Sequence, residues 1–419
     1  VRHLLRSLGE APGLAWDSVR REPLRAFLAV LGIVIGIVTV VFVTSVLTGL
    51  RNQVALLFRE FGTDNVFAYH RTGDPYQRPS EAEANRLPLE PGLAAALPPL
   101  APTVRDVAVQ IIVPVVQGSR VLTARAEGNE SDTILVEGQS PNYIDVTSGA
   151  LEAGRPFTEL EDRGAAPVAI VGANVERALF GARGAVGREL SLGGFRLTVV
   201  GVQEKRRGGF FGENRGDNVI AIPRGTAQRL FPEAKETVLY IRAEPGQRER
   251  ALGEARAALR LLRGLRPGAL DDFNLSTADQ IIAQFDRLSA VIGLVTVALA
   301  AVSLVIGGIG VANVMLIGVA ERTREIGLRR ALGARRGDVL LQFLIEAALL
   351  SLAGGAVGVL LAGGLGFAIS RVAPTFPAVP APWVVAAGLL SSLATGVAAG
   401  FWPARGAARL DPAEALRRD

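Results

Sequence analysis

Cysteine is absent from the 419 residues, which excludes disulfides and thiolate chemistry. An extracytoplasmic domain here must hold together by its core alone. Histidine occurs twice, as His3 and His70, and neither has an H-x-x-x-H or cysteine partner. That leaves almost nothing from which to build a zinc centre or a catalytic triad, so no metal ligand and no catalytic residue is assigned. No G-x-x-x-x-G-K-[ST] is present. The nearest approach, GARGAVG at Gly181–Gly187, lacks the lysine and serine that grip phosphates and Mg²⁺. ATP hydrolysis by these residues is not expected, nor any cofactor of their own. G-x-S-x-G is missing as well, and with it the nucleophile elbow. Lysine is nearly absent and arginine carries the positive charge, which fits genome composition better than a binding surface. The formal net charge of +5 would permit nucleic-acid binding. Much of the arginine excess flanks apolar runs, however, where membrane topology accounts for it, and no nucleic-acid partner is expected.

Long apolar runs are what the chain has instead. Hydrophobic residues make up 49% of it and the mean hydropathy is +0.32. These values are high for a soluble protein and low for one lying wholly in lipid, so a few spans plus one sizeable aqueous domain are expected. Ser289 to Ala320 is a run of 32 residues without a charge. A bilayer core needs about 20 apolar residues of helix, so the segment 288–320 reads as a span. Ala26 to Leu50, within 24–50, is the first span, with 25 uncharged residues. It is too long for a signal-peptide core, and no A-x-A site follows before Arg51, so it is read as retained. Gly32 and Gly36 form a G-x-x-x-G in it, a close-approach face. Val339 to Ser370 is the third span, interrupted by Glu346, and Trp383 to Trp402, within 383–403, is the fourth, with tryptophan at both ends. Residues 1–23 mix arginines with Leu4, Leu5, Leu8, Leu14 and Trp16, and read as an amphipathic segment on the inner lipid surface.

Charge then sets orientation. Residues 1–25 hold five arginines, the 321–338 connector six and the 404–419 tail four, whereas the 371–382 loop holds one. Four spans with both termini and the connector in the cytoplasm place every basic cluster inside. The 51–287 domain lies outside by elimination. Strand-like stretches at Val107–Val116, Arg120–Ala126, Thr133–Val136, Pro167–Val171, Glu189–Leu192, Phe195–Gln203, Asn218–Ile222 and Val238–Arg242 alternate with helical ones at Asn174–Phe180 and Arg248–Leu265. Two α+β lobes account for this alternation. Asp271 and Asp272 could touch a cation, but read as a solvated turn.

The connector ERTREIGLRRALGARRGD, Glu321 to Asp338, is rich in helix formers. Ile326, Leu328, Ala331 and Leu332 could seat one side of it in a protein groove, and Glu325 and Arg329 have the favourable i,i+4 order. Gly327 and Gly333 are expected to divide it into short pieces. Glu346 is an ionisable residue inside a span, which faces protein or water by default. It reads as a satisfied or snorkelling carboxylate near the headgroups, with no role assigned.

Several segments now carry a resemblance. RREPLRAFLAVLGIVIGI at Arg20–Ile37, VAIVGANVERALFG at Val168–Gly181, FRLTVVGVQEKRRGGFFG and NVIAIP are all similar to MacB/FtsX-type permeases, the membrane subunits of type VII ABC systems. The strongest likeness is GIGVANVMLIGVAERTREIGLRRALGARRGDVLLQFLIEAALLSLAGGAVG, Gly308 to Gly358, and FWPARGAARLDPAEALR closes the chain as those proteins close. The resemblance implies an α-helical membrane protein with four transmembrane helices and a large α+β periplasmic core between the first two. It also implies a home in the inner (cytoplasmic) membrane. Glu321–Gly333 resembles the coupling helix that sits on the ATPase, with Glu321, Arg324, Glu325, Gly327, Arg329 and Gly333 as the residues that contact it or shape the contact. The family works as a dimer, homo- or heterodimeric, with ATP and Mg²⁺ bound by the ATPase. A periplasmic adaptor and an outer-membrane duct join it in two-membrane cells. Force passes through the coupling and stalk helices, which is called mechanotransmission. MacB proper carries an N-terminal ATPase, and about 23 residues precede the first span here, so a stand-alone permease with a separate ATPase is expected. Export of a drug-like molecule, peptide or lipid-linked product is the leading expectation. Regulation of a cell-wall hydrolase or signalling without transport, and lipoprotein extraction, are the alternatives.

Overall fold

The computed structural model describes residues 23–60, 62, 64–71, 86–117, 120–206, 214–372 and 378–417. The amphipathic segment expected before Pro23, together with His3, lies outside the described residues. The chain divides into two compact units, one of Val1–Leu50 with Asp286–Asp419 and one of Arg51–Phe285.

In chain order, helix α1 runs Pro23–Glu60 and strand β1 Asn65–Tyr69. Strands β2 Val104–Val113, β3 Val116–Gln117, β4 Arg120–Val121, β5 Ala124–Ala126, β6 Asn129–Ser131 and β7 Leu135–Gln139 follow. Next come β8 Leu151–Gly154, β9 Val168–Val171, α2 Ala173–Phe180, β10 Glu189–Leu192 and β11 Phe195–Gln203. The Arg51–Phe285 unit closes with β12 Val219–Pro223, α3 Arg224–Leu230, β13 Glu236–Ala243, α4 Arg248–Leu262 and β14 Asn274–Thr277. Five helices follow among the described residues: α5 Ala278–Glu321, α6 Thr323–Ala331, α7 Arg336–Val372, α8 Pro382–Arg409 and α9 Pro412–Arg417.

The Arg51–Phe285 unit is built on a mixed sheet of twelve strands among the described residues, in the order β14-β1-β13-β2-β7-β12-β9-β11-β10-β5-β6, with β8 on β11. Its β7–β12 and β9–β11 pairs are parallel. The two lobes expected from the sequence are thus corrected to one continuous sheet, because β7, β12 and β9 pair in sequence across the middle. Its core agrees, drawing Ile111, Leu239 and Ile241 from one end and Leu190, Leu192 and Leu197 from the other. Each such fully buried side chain contributes about 1.5–3 kcal/mol. The β10–β11 hairpin turns on Gly193 and Gly194, with φ of 57° and 97°, the left-handed pair that a two-residue turn needs. β14 and β13 flank β1 on its two sides, both antiparallel.

In the other unit, α1, α5, α7 and α8 are all long and apolar enough to cross a membrane. The G-x-x-x-G face of α1 meets α5. A Cβ at Gly32 would lie 2.8 Å from the backbone Cα of Gly307, and one at Gly36 would lie 3.2 Å from the Leu304 side chain. Helices α7 and α8 pack through small residues, with Ser351 and Ala347 against Gly396 and Gly400. In lipid, where apolar burial gives no drive, such close contact is what holds helices together.

Candidate functional site

The connector between the second and third spans is helix α6, set off from α5 by Arg322 at its N-cap, with φ −103° and ψ 14°. Gly327 does not divide it, contrary to the sequence expectation: its backbone is helical and lies under α9, where a Cβ would come 2.6 Å from that of Ala415. Gly333 does end the segment, at φ +100°, a conformation that favours glycine. The apolar residues split between two faces. Ile326 is buried in the chain's own core, which removes it from the expected groove-seating side, whereas Leu328, Ala331 and Leu332 are exposed. Glu321 and Arg324 are exposed with them.

Two sets of polar contacts fix the inner side. Arg330 donates to the carbonyl of Ala408 at 2.6 Å, at the end of α8. Arg329 donates to Glu325 Oε1 at 2.5 Å and to Gln342 Oε1 on α7 at 2.9 Å. Gln342 Nε2 in turn donates to Glu346 Oε1 at 3.3 Å, and Arg322 lies 3.7 Å from Glu346 Oε2. Glu346 is 5% exposed. It neither snorkels nor stands alone. Sequence reasoning singled out none of Arg322, Arg330, Gln342 and Ala415. The only available signal for Gln342 was its i,i+4 spacing from Glu346.

Elsewhere the acids that could touch a cation are already occupied. Arg263 grips Asp272 through two nitrogens at 2.8 and 2.6 Å, and Asp271 bonds Arg260. The solvated turn expected there is therefore an arginine-bound one. Arg263 also donates to the carbonyls of Leu87 and Pro88. Among the described residues no group of three or more His, Asp or Glu could hold a metal ion. His70 is buried with Nε2 3.3 Å from Glu236, and burial holds its imidazole below the ordinary range against the pull of that carboxylate.

Comparison with known proteins decides what kind of chain carries this connector. The profile described as "MacB-like periplasmic core domain" matches residues 26–259, more than half of the chain, and "FtsX-like permease C-terminal" matches residues 297–412. The chain belongs to the MacB/FtsX-type permeases. A macrolide export ATP-binding/permease protein MacB, from Chromobacterium violaceum, is 36% identical over 416 residues, 98% of this chain and 61% of the relative. A pyoverdine export ATP-binding/permease protein PvdT, from Pseudomonas savastanoi pv. phaseolicola, is 36% identical over 411 residues, 97% of this chain and 59% of the relative. This permease therefore spans about three fifths of the length of those curated relatives. The solved periplasmic region of MacB from Actinobacillus actinomycetemcomitans aligns with 55% of this chain and 95% of its own, at TM-score 0.43 and 15% identity. As a permease of this family, the protein is a membrane protein with four candidate transmembrane helices. Its large α+β periplasmic domain is inserted between the first two.

Proposed function

We propose that this permease is the force-receiving part of an ATP-driven ABC exporter, with α6 as the seat of its ATPase. The observation that carries the reading is the division of α6 into two faces. Ile326, Gly327 and Arg330 are taken up by the chain's own α8 and α9, whereas Glu321, Arg324, Leu328 and Leu332 are exposed. An exposed apolar pair rimmed by charges is the composition of a docking face. Glu325 and Arg329 join that rim, Gly327 brings the helix down onto α9, and Gly333 sets the exit turn. The arginine bias of the connector and both chain ends supports a cytoplasmic position for all three.

In this reading ATP and Mg²⁺ belong to the ATPase. Closure of its nucleotide sites brings two permeases together, as a homodimer or a heterodimer of close relatives, and the motion reaches the periplasmic unit by mechanotransmission. The names of the relatives, a macrolide exporter and a pyoverdine exporter, support export as the task; the cargo proposed is a drug-like molecule, peptide or lipid-linked product taken up on the periplasmic side. A periplasmic adaptor and an outer-membrane duct would complete the route. The test is co-purification of the full chain from its native membrane, with ATP-dependent efflux measured in the same cells. Wild type is expected to bring down an ABC ATPase, and Arg324→Glu to lose it while remaining inserted. Normal capture and normal efflux with Arg324→Glu would overturn the assignment of α6.

A further inference from the structure

We infer that Glu346 is a positioning residue: with Gln342 and Arg322 it anchors both ends of α6 to one turn of the third span, so that a displacement of α6 is delivered to α5 and α7 together. The inference rests on the coupling role proposed for α6. A carboxylate with 5% exposure inside an apolar helix has to be held by partners, because removing one partner leaves an uncompensated buried charge. The partners here are placed to do more than satisfy it. Arg322 is the residue at which the second span ends and α6 begins, and its guanidinium, itself largely buried, faces Glu346 at 3.7 Å. Arg329 lies near the far end of α6 and reaches Gln342 at 2.9 Å. Gln342 and Glu346 are four residues apart, on the same face of α7, and bonded to each other.

The connector is therefore tied to α7 at two points, residues 322 and 329, separated by about 10 Å of helix rise. One tie would let α6 pivot; two fix its tilt. Arg329 also bonds Glu325, which is half exposed on the rim of the docking face. A partner group that draws Arg329 outward must loosen its bond to Gln342, leaving Arg322 as the remaining polar tie to α7 beside the Arg330 bond to α8. Occupancy of the outer face and tilt of the connector are thereby linked through one guanidinium.

The test uses the full chain in lipid nanodiscs, with the ATPase that co-purifies with it, and compares wild type with Glu346→Gln and Arg322→Gln. Hydrogen exchange is read separately over residues 323–331 and 382–409. Both variants are expected to raise exchange over 323–331 by roughly tenfold and to leave 382–409 at the wild-type rate. The ATPase should still be captured at unchanged KM for ATP, while the permease-stimulated kcat falls roughly tenfold. The double variant, which leaves no unpaired charge buried, should recover part of both. Should Glu346→Gln fail to insert, Gln342→Ala, which keeps the ion pair, examines the same anchor from its other half. Unchanged exchange over 323–331, or equal loosening of 382–409, overturns the inference. Failure of wild type to capture or stimulate an ATPase would instead overturn the proposed function, with the exchange result still judging the anchor.

Discussion

Two glycines one helical turn apart in the first span should respond unequally to the same methyl group. At Gly32 a Cβ would lie 2.8 Å from the Cα and N of Gly307 and 3.2 Å from the carbonyl of Ser303. Carbon atoms pack at about 3.5–4.0 Å, so Gly32→Ala creates an overlap of about 1 Å. The atoms in the way are backbone and cannot rotate aside. Relief requires α1 and α5 to part, at about 1–3 kcal/mol for an overpacked contact. At Gly36 the neighbours are the Leu304 side chain and the Ala300 carbonyl at 3.2 Å, and a shift of a few tenths of an ångström by the leucine restores contact. There the helix propensity of alanine over glycine, about 1 kcal/mol, offsets the crowding and leaves Gly36→Ala near neutral. The same propensity gain applies at Gly32, so equilibrium unfolding of the purified chain in mixed micelles should separate the variants by the difference in crowding alone, about 1 kcal/mol. Gly307→Ala should match Gly32→Ala, since its Cβ would meet the backbone nitrogen of Ile33 at 2.7 Å. The double variant should fall short of additivity, because both methyls force the same separation. Equal losses at Gly32 and Gly36 would refute the reasoning.

In the periplasmic unit, the Arg155 guanidinium donates to Glu161 at 2.7 and 2.9 Å and holds that carboxyl at about 2, with the Thr158 capping box adding to it. A carboxyl depressed on folding stabilises at pH above its unfolded value and loses that contribution as pH falls through the folded one. Glu161→Gln should thus cost about 1 kcal/mol near neutrality, discounted because Arg155 is half exposed. Thermal melts of the two forms should converge as pH falls from about 5 to about 2, and a gap independent of pH would contradict the assignment. Asp271 and Asp272 are occupied by arginines, so millimolar Ca²⁺ or Zn²⁺ should leave the melting midpoint unchanged. Arg263→Ala should lower stability by about 2 kcal/mol, since it strands the Asp272 carboxylate and two carbonyls. Metal-induced stabilisation of wild type would put a cation where the structure places guanidinium groups.

How much of this is legible in the sequence varies with the kind of interaction. The spans could be read from hydropathy alone, since a charge-free run of such length has few other fates. Strand β11, Phe195–Gln203, could be read to the residue because alternation and the Gly-Gly turn agree on its start. Strands β1 and β14 are not legible in the sequence: NVFAY and NLST are short and owe their conformation to partners distant in sequence. Periodicity showed α6 as helical but not which apolar residues face outward. That depended on α9 and α8 closing over Ile326 and Gly327, a tertiary fact. Glu346 was visible as an anomaly, whereas its attachment to residues on either side of the connector was not, because local spacing carries no record of which helices become neighbours.

Because Val66 of β1 pairs with Thr277 of β14, the chain enters and leaves the sheet of the periplasmic unit within one strand spacing, about 5 Å. An insert with abutting ends behaves as a cassette. A larger, smaller or differently shaped replacement asks nothing of its host beyond the same narrow gap. A laboratory chimaera that exchanges this unit is therefore best joined at the residues bordering those two strands.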